Sequence, residues 1–316
     1  MAEFPAHRDG RIFLTEGGIE TEVMYRHGFE LPEFAVFPLL DDPRAAAVMR
    51  GMYRRYLDVV ASHGLAALIG GLDYRASPDW AGRLGYSASA LADANLACIQ
   101  FLRDAAAEYA QDVPEALIAG IVGPRGDAYR LNRTITEAEA EDYHATQLET
   151  LGRAGVDLAW ALTLNSVPEA VGVARAATRL GVPLAISLTL DGTARLQSGP
   201  TLAEAIEAID AATGASPAFY SINCSHPLEF GPALTDGSWI GRLRGLRPNA
   251  SSMDKIALCQ LGHLEEGDPP ELGKMMAELA RRFPQLDIWG GCCGTWDRHL
   301  DHIAREVAAV RGAAPS

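Results

Sequence analysis

The sequence predicts an α/β protein built as one (β/α)8 TIM barrel, and three observations carry that prediction. Short runs rich in Val, Ile and Leu alternate with longer segments of helical period. The alternation continues from end to end of the 316 residues and yields eight strand and helix pairs. The connections are short, so successive strands must run parallel, each helical crossover returning the chain to the same end of the sheet. Eight such units suggest closure. An open doubly wound sheet is the competing arrangement, but no GxGxxG follows the first strand to favour it. No low-complexity linker or internal repeat divides the chain, so residues 1–316 are expected to form a single barrel domain.

In chain order, the first strand is expected at Arg11 to Thr15, before Glu16-Gly17-Gly18, and the second at Leu65 to Gly70, before Gly71-Leu72-Asp73-Tyr74. The third, Ala116 to Val122, runs into Gly123-Pro124. The next helix starts at Thr136 with Glu139, the spacing at which a hydroxyl and a carboxylate satisfy each other's orphan N–H groups. The fourth strand, Leu158 to Leu164, is followed by the same spacing at Ser166 and Glu169. The fifth spans Pro183 to Leu190, and the spacing recurs at Thr201 and Glu204. The sixth is Ala218 to Asn223, the seventh, with the faintest pattern, Arg247 to Ala250, and the eighth Leu286 to Gly290. In the last helix Trp296, Leu300, Ile303, Val307 and Val310 form an apolar stripe among charged residues, suited to lie against a barrel.

Composition narrows the function. With 48% hydrophobic and 22% charged residues the chain can bury a sizeable core and is too polar for an integral membrane protein. No apolar run approaches the about 18 residues of a membrane span, and Met1 to Gly10 mixes His, Arg, Asp and Pro where a signal peptide needs an apolar stretch. A cytoplasmic protein is the expectation. The formal charge of −14, with no Lys/Arg run, argues against nucleic acid and anionic membranes as partners and favours a cationic small molecule. Five cysteines, an odd number, are expected to be reduced thiols serving a metal or catalysis rather than a disulfide framework.

Cys224 stands just beyond the sixth strand, in Asn223-Cys224-Ser225-His226, and Cys292 and Cys293 just beyond the eighth, in Gly290-Gly291-Cys292-Cys293-Gly294. In a barrel of this kind the carboxyl ends of the strands carry the active site, so these three thiols are expected to converge there. Neighbouring strand residues point to opposite faces, so Cys292 and Cys293 can share a metal only if the chain turns sharply between them, which the flanking glycines permit. Three thiolates suit Zn2+ with one position left for a substrate, and a thiol bound there would become a nucleophilic thiolate. Buried packing is the plain alternative for any one of them, and it is the expected role of Cys98 and Cys259.

With these residues in view, the chain resembles the homocysteine S-methyltransferase family, whose zinc ligands lie in an Asn-Cys segment and a Gly-Gly-Cys-Cys-Gly segment. Here these are Asn223-Cys224 and Gly290 to Gly294. The likeness extends over nearly the whole chain through Glu16-Gly17-Gly18 with Thr21-Glu22, Gly123-Pro124 and Gly199-Pro200-Thr201-Leu202. It implies Cys224, Cys292 and Cys293 as zinc ligands and attack of a zinc-bound thiolate on the methyl group of a sulfonium, an ammonium or a folate. Three departures touch the acceptor pocket. Glu16 stands where the family has Asp, Gly70-Gly71-Leu72-Asp73-Tyr74 where it has Thr-Asn-Thr-Tyr, and Leu162 where it has a Glu that holds the acceptor's ammonium. They predict retained chemistry with a changed acceptor, so that homocysteine is bound poorly or differently.

Glu16, Gly17, Gly18, Asp73 and Asn223 are the candidate substrate-binding residues. Glu16 would meet an acceptor's amino group, Asp73 would supply a negative charge at the rim, and Asn223 would orient Cys224; each could instead be an ordinary loop or turn residue. His226 could ligate a metal or shuttle a proton, but three thiolates and a substrate already complete a tetrahedron. His299 and His302, three apart in the last helix, are expected to be solvated. Only Lys255 and Lys274 could serve a Schiff-base aldolase, which makes that chemistry a weak rival. The function expected is therefore methyl transfer from a small cationic donor, a sulfonium like S-methylmethionine or a betaine, to a zinc-activated thiol such as homocysteine or a relative. The length leaves no room for an appended cobalamin domain, so the donor is expected to be a free molecule. The alternatives are a non-catalytic zinc-binding or thiol-sensing barrel that has lost its acceptor pocket, and, behind it, a zinc hydrolase.

Overall fold

The structure is a computed structural model that describes residues 4–7, 11–253, 257–258 and 261–312. Eight parallel strands close into a barrel in sequence order: β1 Phe13–Leu14, β2 Ala66–Ile69, β3 Ala116–Val122, β4 Leu158–Leu164, β5 Leu184–Leu188, β6 Phe219–Asn223, β7 Leu243–Arg247 and β8 Ile288–Trp289. Closure is made at β1, where Phe13 is in register with Ala66 on one side and Ile288 on the other. Around it lie α1 Ile19–Tyr25, α2 Pro43–Ser62, α3 Pro78–Arg83, α4 Ala88–Ala107, α5 Glu137–Ala154, α6 Val167–Leu180, α7 Leu202–Thr213, α8 Pro227–Phe230, α9 Pro269–Arg282 and α10 Asp297–Arg311.

The period-two alternation of the strands sorts the core into two layers. Phe13, Leu68, Ile121, Trp160, Phe219 and Ile288 fill the inside of the barrel, while residues such as Leu14, Ile69, Val122 and Leu246 join the packing that includes the helices. Phe4 stacks against Phe13 and Phe219, with ring centroids 5.8 and 5.1 Å away, and so plugs the amino end of the barrel. A buried ion pair fastens that plug. Arg244 donates to both carboxylate oxygens of Asp287, at 3.0 and 2.6 Å, and through its third nitrogen to the carbonyl of Pro5 at 2.8 Å.

The sequence-predicted barrel is the fold observed, and β3 and β4 match to the residue. The seventh strand does not. It is Leu243–Arg247 rather than Arg247 to Ala250, because the buried guanidinium groups of Arg244 and Arg247 break the apolar pattern and Pro248 cannot extend the ladder. Thr136 with Glu139 and Thr201 with Glu204 cap their helices reciprocally, as the spacing predicts. Ser166 makes no such bond; Glu169 is instead buried, accepting from Arg125 N–H at 2.5 Å and lying 3.0 Å from His144. His299 is also buried, 2.7 Å from the carbonyl of Glu266, whereas a solvated ring was expected. No helix among the described residues is long and apolar enough to cross a membrane.

Candidate active site at the carboxyl rim

β6 and β8 deliver the three thiols. Cys224 directly follows β6 and takes a left-handed backbone conformation, φ 51°, uncommon for a residue with a side chain. Its N–H donates to the carbonyl of Arg247 at 3.3 Å. After β8 the chain passes Gly290-Gly291 and folds back, the N–H and hydroxyl of Thr295 both donating to the carbonyl of Cys292, at 3.0 and 2.7 Å. This turn rests on Gly17-Gly18. A Cβ at Gly18 would stand 2.5 Å from the carbonyl oxygen of Cys292, closer than a side chain can approach, so the paired glycines after β1 shape the thiol turn.

The sulfurs of Cys224, Cys292 and Cys293 all lie within 4.8 Å of one another, and among the described residues this is the one group of His, Cys, Asp or Glu whose ligand atoms could hold a metal ion. Cys224 and Cys293 are 3.8 Å apart. A tetrahedron with zinc–sulfur bonds of about 2.3 Å has an edge of about 3.8 Å, which the Cys224–Cys293 separation matches, so with all three cysteines reduced this donor set would suit zinc. Cys224 and Cys292 are joined as a disulfide, their Cα atoms 5.5 Å apart, where reduced thiols were expected; the convergence that permits the bond is the one that brings three sulfurs together. Cys98 is buried in α4, as expected of a packing residue, and Cys259 lies outside the described residues. His226 does not join the cluster; it caps α8, accepting from Leu228 N–H at 3.3 Å, and burial lowers its pKa.

A cavity of about 340 Å³ opens beside the sulfurs and is lined by Gly17, Gly18, Asn223 and all three cysteines, but not by Glu16 or Asp73. Those two carboxylates, expected to meet substrate, lie behind the wall in contacts within the barrel. Glu16 is fully buried, accepts from Gly70 N–H at 2.9 Å and pairs with Arg247 at 2.6 Å. Asp73 accepts from Ile121 N–H through both oxygens, at 3.0 and 3.1 Å. Burial pushes its pKa up to about 7 against those N–H bonds, with nearby Glu16 and Glu20 adding to the rise. Gly71 supplies the room: at φ 107° it has no Cβ to meet Ile19 at 3.0 Å or the Tyr53 hydroxyl at 3.3 Å. Asn223 accepts from Thr163 N–H at 2.9 Å and donates to a sulfur at 3.8 Å, but that sulfur belongs to Cys292 rather than Cys224.

Among the residues of the cavity wall that sequence reasoning missed are Glu20, Arg75, Arg247 and Asn249. Glu20 belongs to a helical segment in which a Glu reads as solvent-facing. It is half-buried, and its pKa is pushed up to about 7 by burial, against the pull of its own N–H, Arg247 and Arg75. Arg75 is stacked over Trp80 at 3.9 Å and donates to the carbonyl of Gly126 at 2.7 Å. Arg247 and Asn249 follow from the displaced seventh strand. Leu162 lines the same cavity, leaving an apolar wall at the end of β4.

A closed (β/α)8 barrel with three cysteine sulfurs gathered beside a cavity at its carboxyl rim defines a thiol-lined barrel enzyme. The model of the family described as homocysteine S-methyltransferase matches residues 13–307. The chain belongs to that family and is an S-methyltransferase. Among solved structures it is similar to the Escherichia coli homocysteine methyltransferase MmuM. The oxidized form shares 20% identity over 94% of this chain and 96% of that one, with a TM-score of 0.74. The metallated form shares 20% over the same spans with a TM-score of 0.73, and the apo form 19% over 95% and 96% with 0.65. At that identity the likeness is one of fold. Membership of a methyltransferase family speaks against the alternative of a non-catalytic barrel.

Proposed function

We propose that the protein methylates a small thiol, using a free cationic methyl donor of the sulfonium type and a zinc ion held by Cys224, Cys292 and Cys293. The observation that carries this reading is the convergence of three sulfurs within 4.8 Å on the wall of a cavity. When bound there, zinc lowers the pKa of a coordinated thiol so that the nucleophilic thiolate prevails near neutral pH. The chain's own part is to place and enclose the reactants. Asn223 tethers Cys292 to the end of β4, and the Cys292–Thr295 turn, seated on Gly17-Gly18, holds the eighth-strand cysteines in place. Tyr74, hydrogen-bonded to Thr163 at 2.5 Å, and Leu162 form part of the cavity wall.

In the reaction a bond forms between the acceptor sulfur and the donor's methyl carbon as the bond from that carbon to the donor sulfur breaks. The electron pair stays on the donor, which leaves as a neutral sulfide, and the acceptor's thiol proton passes to solvent. No new charge is separated, which favours a cationic donor over a neutral one. Aligned reactants reach high effective molarities, so positioning contributes much of the acceleration without a general base at carbon. The formal charge of −14 attracts such a donor at long range.

Purified protein is expected to carry about one zinc per chain, and Cys224→Ala, Cys292→Ala and Cys293→Ala each to lose most of it with the activity, while Cys98→Ala keeps both. Elemental analysis showing full zinc in all three variants would remove the metal site. Mass spectrometry of products should show thiol methylation from S-methylmethionine without added cobalamin; activity restricted to an anionic folate donor would overturn the donor class.

A further inference from the structure

The cavity wall contains polar atoms that the fold leaves unsatisfied. Arg247, the last residue of β7, is 5% exposed. Its Nη2 pairs with Glu16 at 2.6 Å and its Nε donates to the carbonyl of Gly291 at 3.2 Å, which fixes the plane of the guanidinium. Its Nη1 is buried without a hydrogen-bond partner. Two residues on, Asn249 is 2% exposed; its N–H donates to the carbonyl of Ser225 at 3.3 Å, but its Oδ1 is likewise buried and unpartnered. Both side chains line the cavity that holds the thiols, and so does the half-buried Glu20, whose carboxylate accepts from its own N–H and lies in the field of Arg247 and Arg75. Buried polar groups are nearly always hydrogen-bonded, because an unmade bond forfeits the desolvation of the group. A donor and an acceptor left open on one cavity wall, with a carboxylate beside them, are therefore read as groups that a ligand completes.

We infer that Arg247 and Glu20 set acceptor specificity: Nη1 of Arg247 donates to a carboxylate on the acceptor thiol, and Glu20 accepts from its ammonium, with Asn249 Oδ1 taking a further N–H. This rests on the methyl-transfer reading and assigns the head group of its acceptor. It also joins the three sequence departures into one rearrangement. The longer Glu16 reaches Arg247 and holds it in place, Gly71 clears the space above Glu16, and a carboxylate on α1 takes over the charge that Leu162 lacks. Arg247 is suited to the task because its fork is preset by an ion pair and a hydrogen bond and matches a carboxylate in shape.

The test uses zinc-loaded wild-type protein with S-methylmethionine and three acceptors: homocysteine, 3-aminopropane-1-thiol, which lacks the carboxylate, and 4-mercaptobutyrate, which lacks the amine. Removing either group should lower kcat/KM on the order of 10- to 100-fold, the effect of a hydrogen bond to a charged partner. In the double variant Glu16→Gln, Arg247→Gln, chosen so that no carboxylate is stranded, the carboxylate effect should collapse to within about threefold while the amine effect persists. Glu20→Gln should do the reverse. Calorimetric titration of the acceptors should give the same crossed pattern in Kd. Turnover in the wild type that is indifferent to the carboxylate, or a carboxylate effect that survives in the double variant, overturns the assignment alone. So does a carboxylate dependence that appears only when the donor is varied. Neither turnover nor binding with any thiol overturns the methyl-transfer reading together with it.

Discussion

Glu16 illustrates how much one methylene can decide. Sequence reasoning placed its charge correctly beside the paired glycines but assigned it to a substrate, because the partner that claims it, Arg247, is remote in sequence and sits on a strand whose boundary was misplaced. The pair is buried at both ends, so removing one member leaves an uncompensated charge. Arg247→Met is expected to destabilise the fold by about 3–5 kcal/mol, and adding Glu16→Gln to recover most of that loss; urea unfolding midpoints of the two variants would show it, and equal midpoints would mean the pair is not coupled. Asp73 makes a different prediction. Its folded pKa, raised from 3.8 to about 7, lies above the unfolded value, so its protonated form favours the folded state. That contribution is fully present below about pH 4 and is lost as pH rises through 7. Asp73→Asn keeps an acceptor for Ile121 N–H and does not ionise, so its stability relative to the wild type should rise between pH 4 and 7 and level off above. A pH-independent difference would show that Asp73 does not titrate there.

At the level of elements, apolar alternation and capping spacing were enough to place every strand but one. β7 was obscured because two of its five residues are arginines whose charges are matched inside the molecule, by Asp287 at one end and Glu16 at the other. A pattern of hydrophobicity cannot register a buried ion pair. The capping spacing has the converse weakness, since Ser166 and Glu169 satisfy it on paper while tertiary contacts with His144 and Arg125 take the carboxylate away. The difference is measurable. Thr201→Ala, which removes a formed cap at α7, should cost about 1 kcal/mol, and Ser166→Ala, where no cap bond exists, clearly less. Chemical denaturation would distinguish the two, and equal losses would contradict the capping geometry. The thiol cluster was legible because strand-end position alone predicts convergence in a closed barrel. Glu20 and Asn249 were not, since only the fold brings them to the cavity wall.

For the molecule as a whole, long-range attraction of a cationic donor should weaken as salt shortens the Debye length from about 10 Å at 0.1 M to about 3 Å at 1 M. kcat/KM for the donor is expected to fall moderately over that range while kcat changes less, because contacts within the cavity are screened far less than the outer field. A rise in kcat/KM with salt would refute a steering role for the net charge. The plug formed by Phe4 at the amino end of the barrel has a consequence for the order of events. With that end stoppered, substrates and products share one doorway, and whatever binds against the sulfurs stands behind whatever binds nearer the opening. On the proposed reaction, traffic is therefore expected to be last in, first out: acceptor before donor, spent donor before methylated thiol. The methylated thiol should then compete with the acceptor in product-inhibition kinetics, while the spent donor should not.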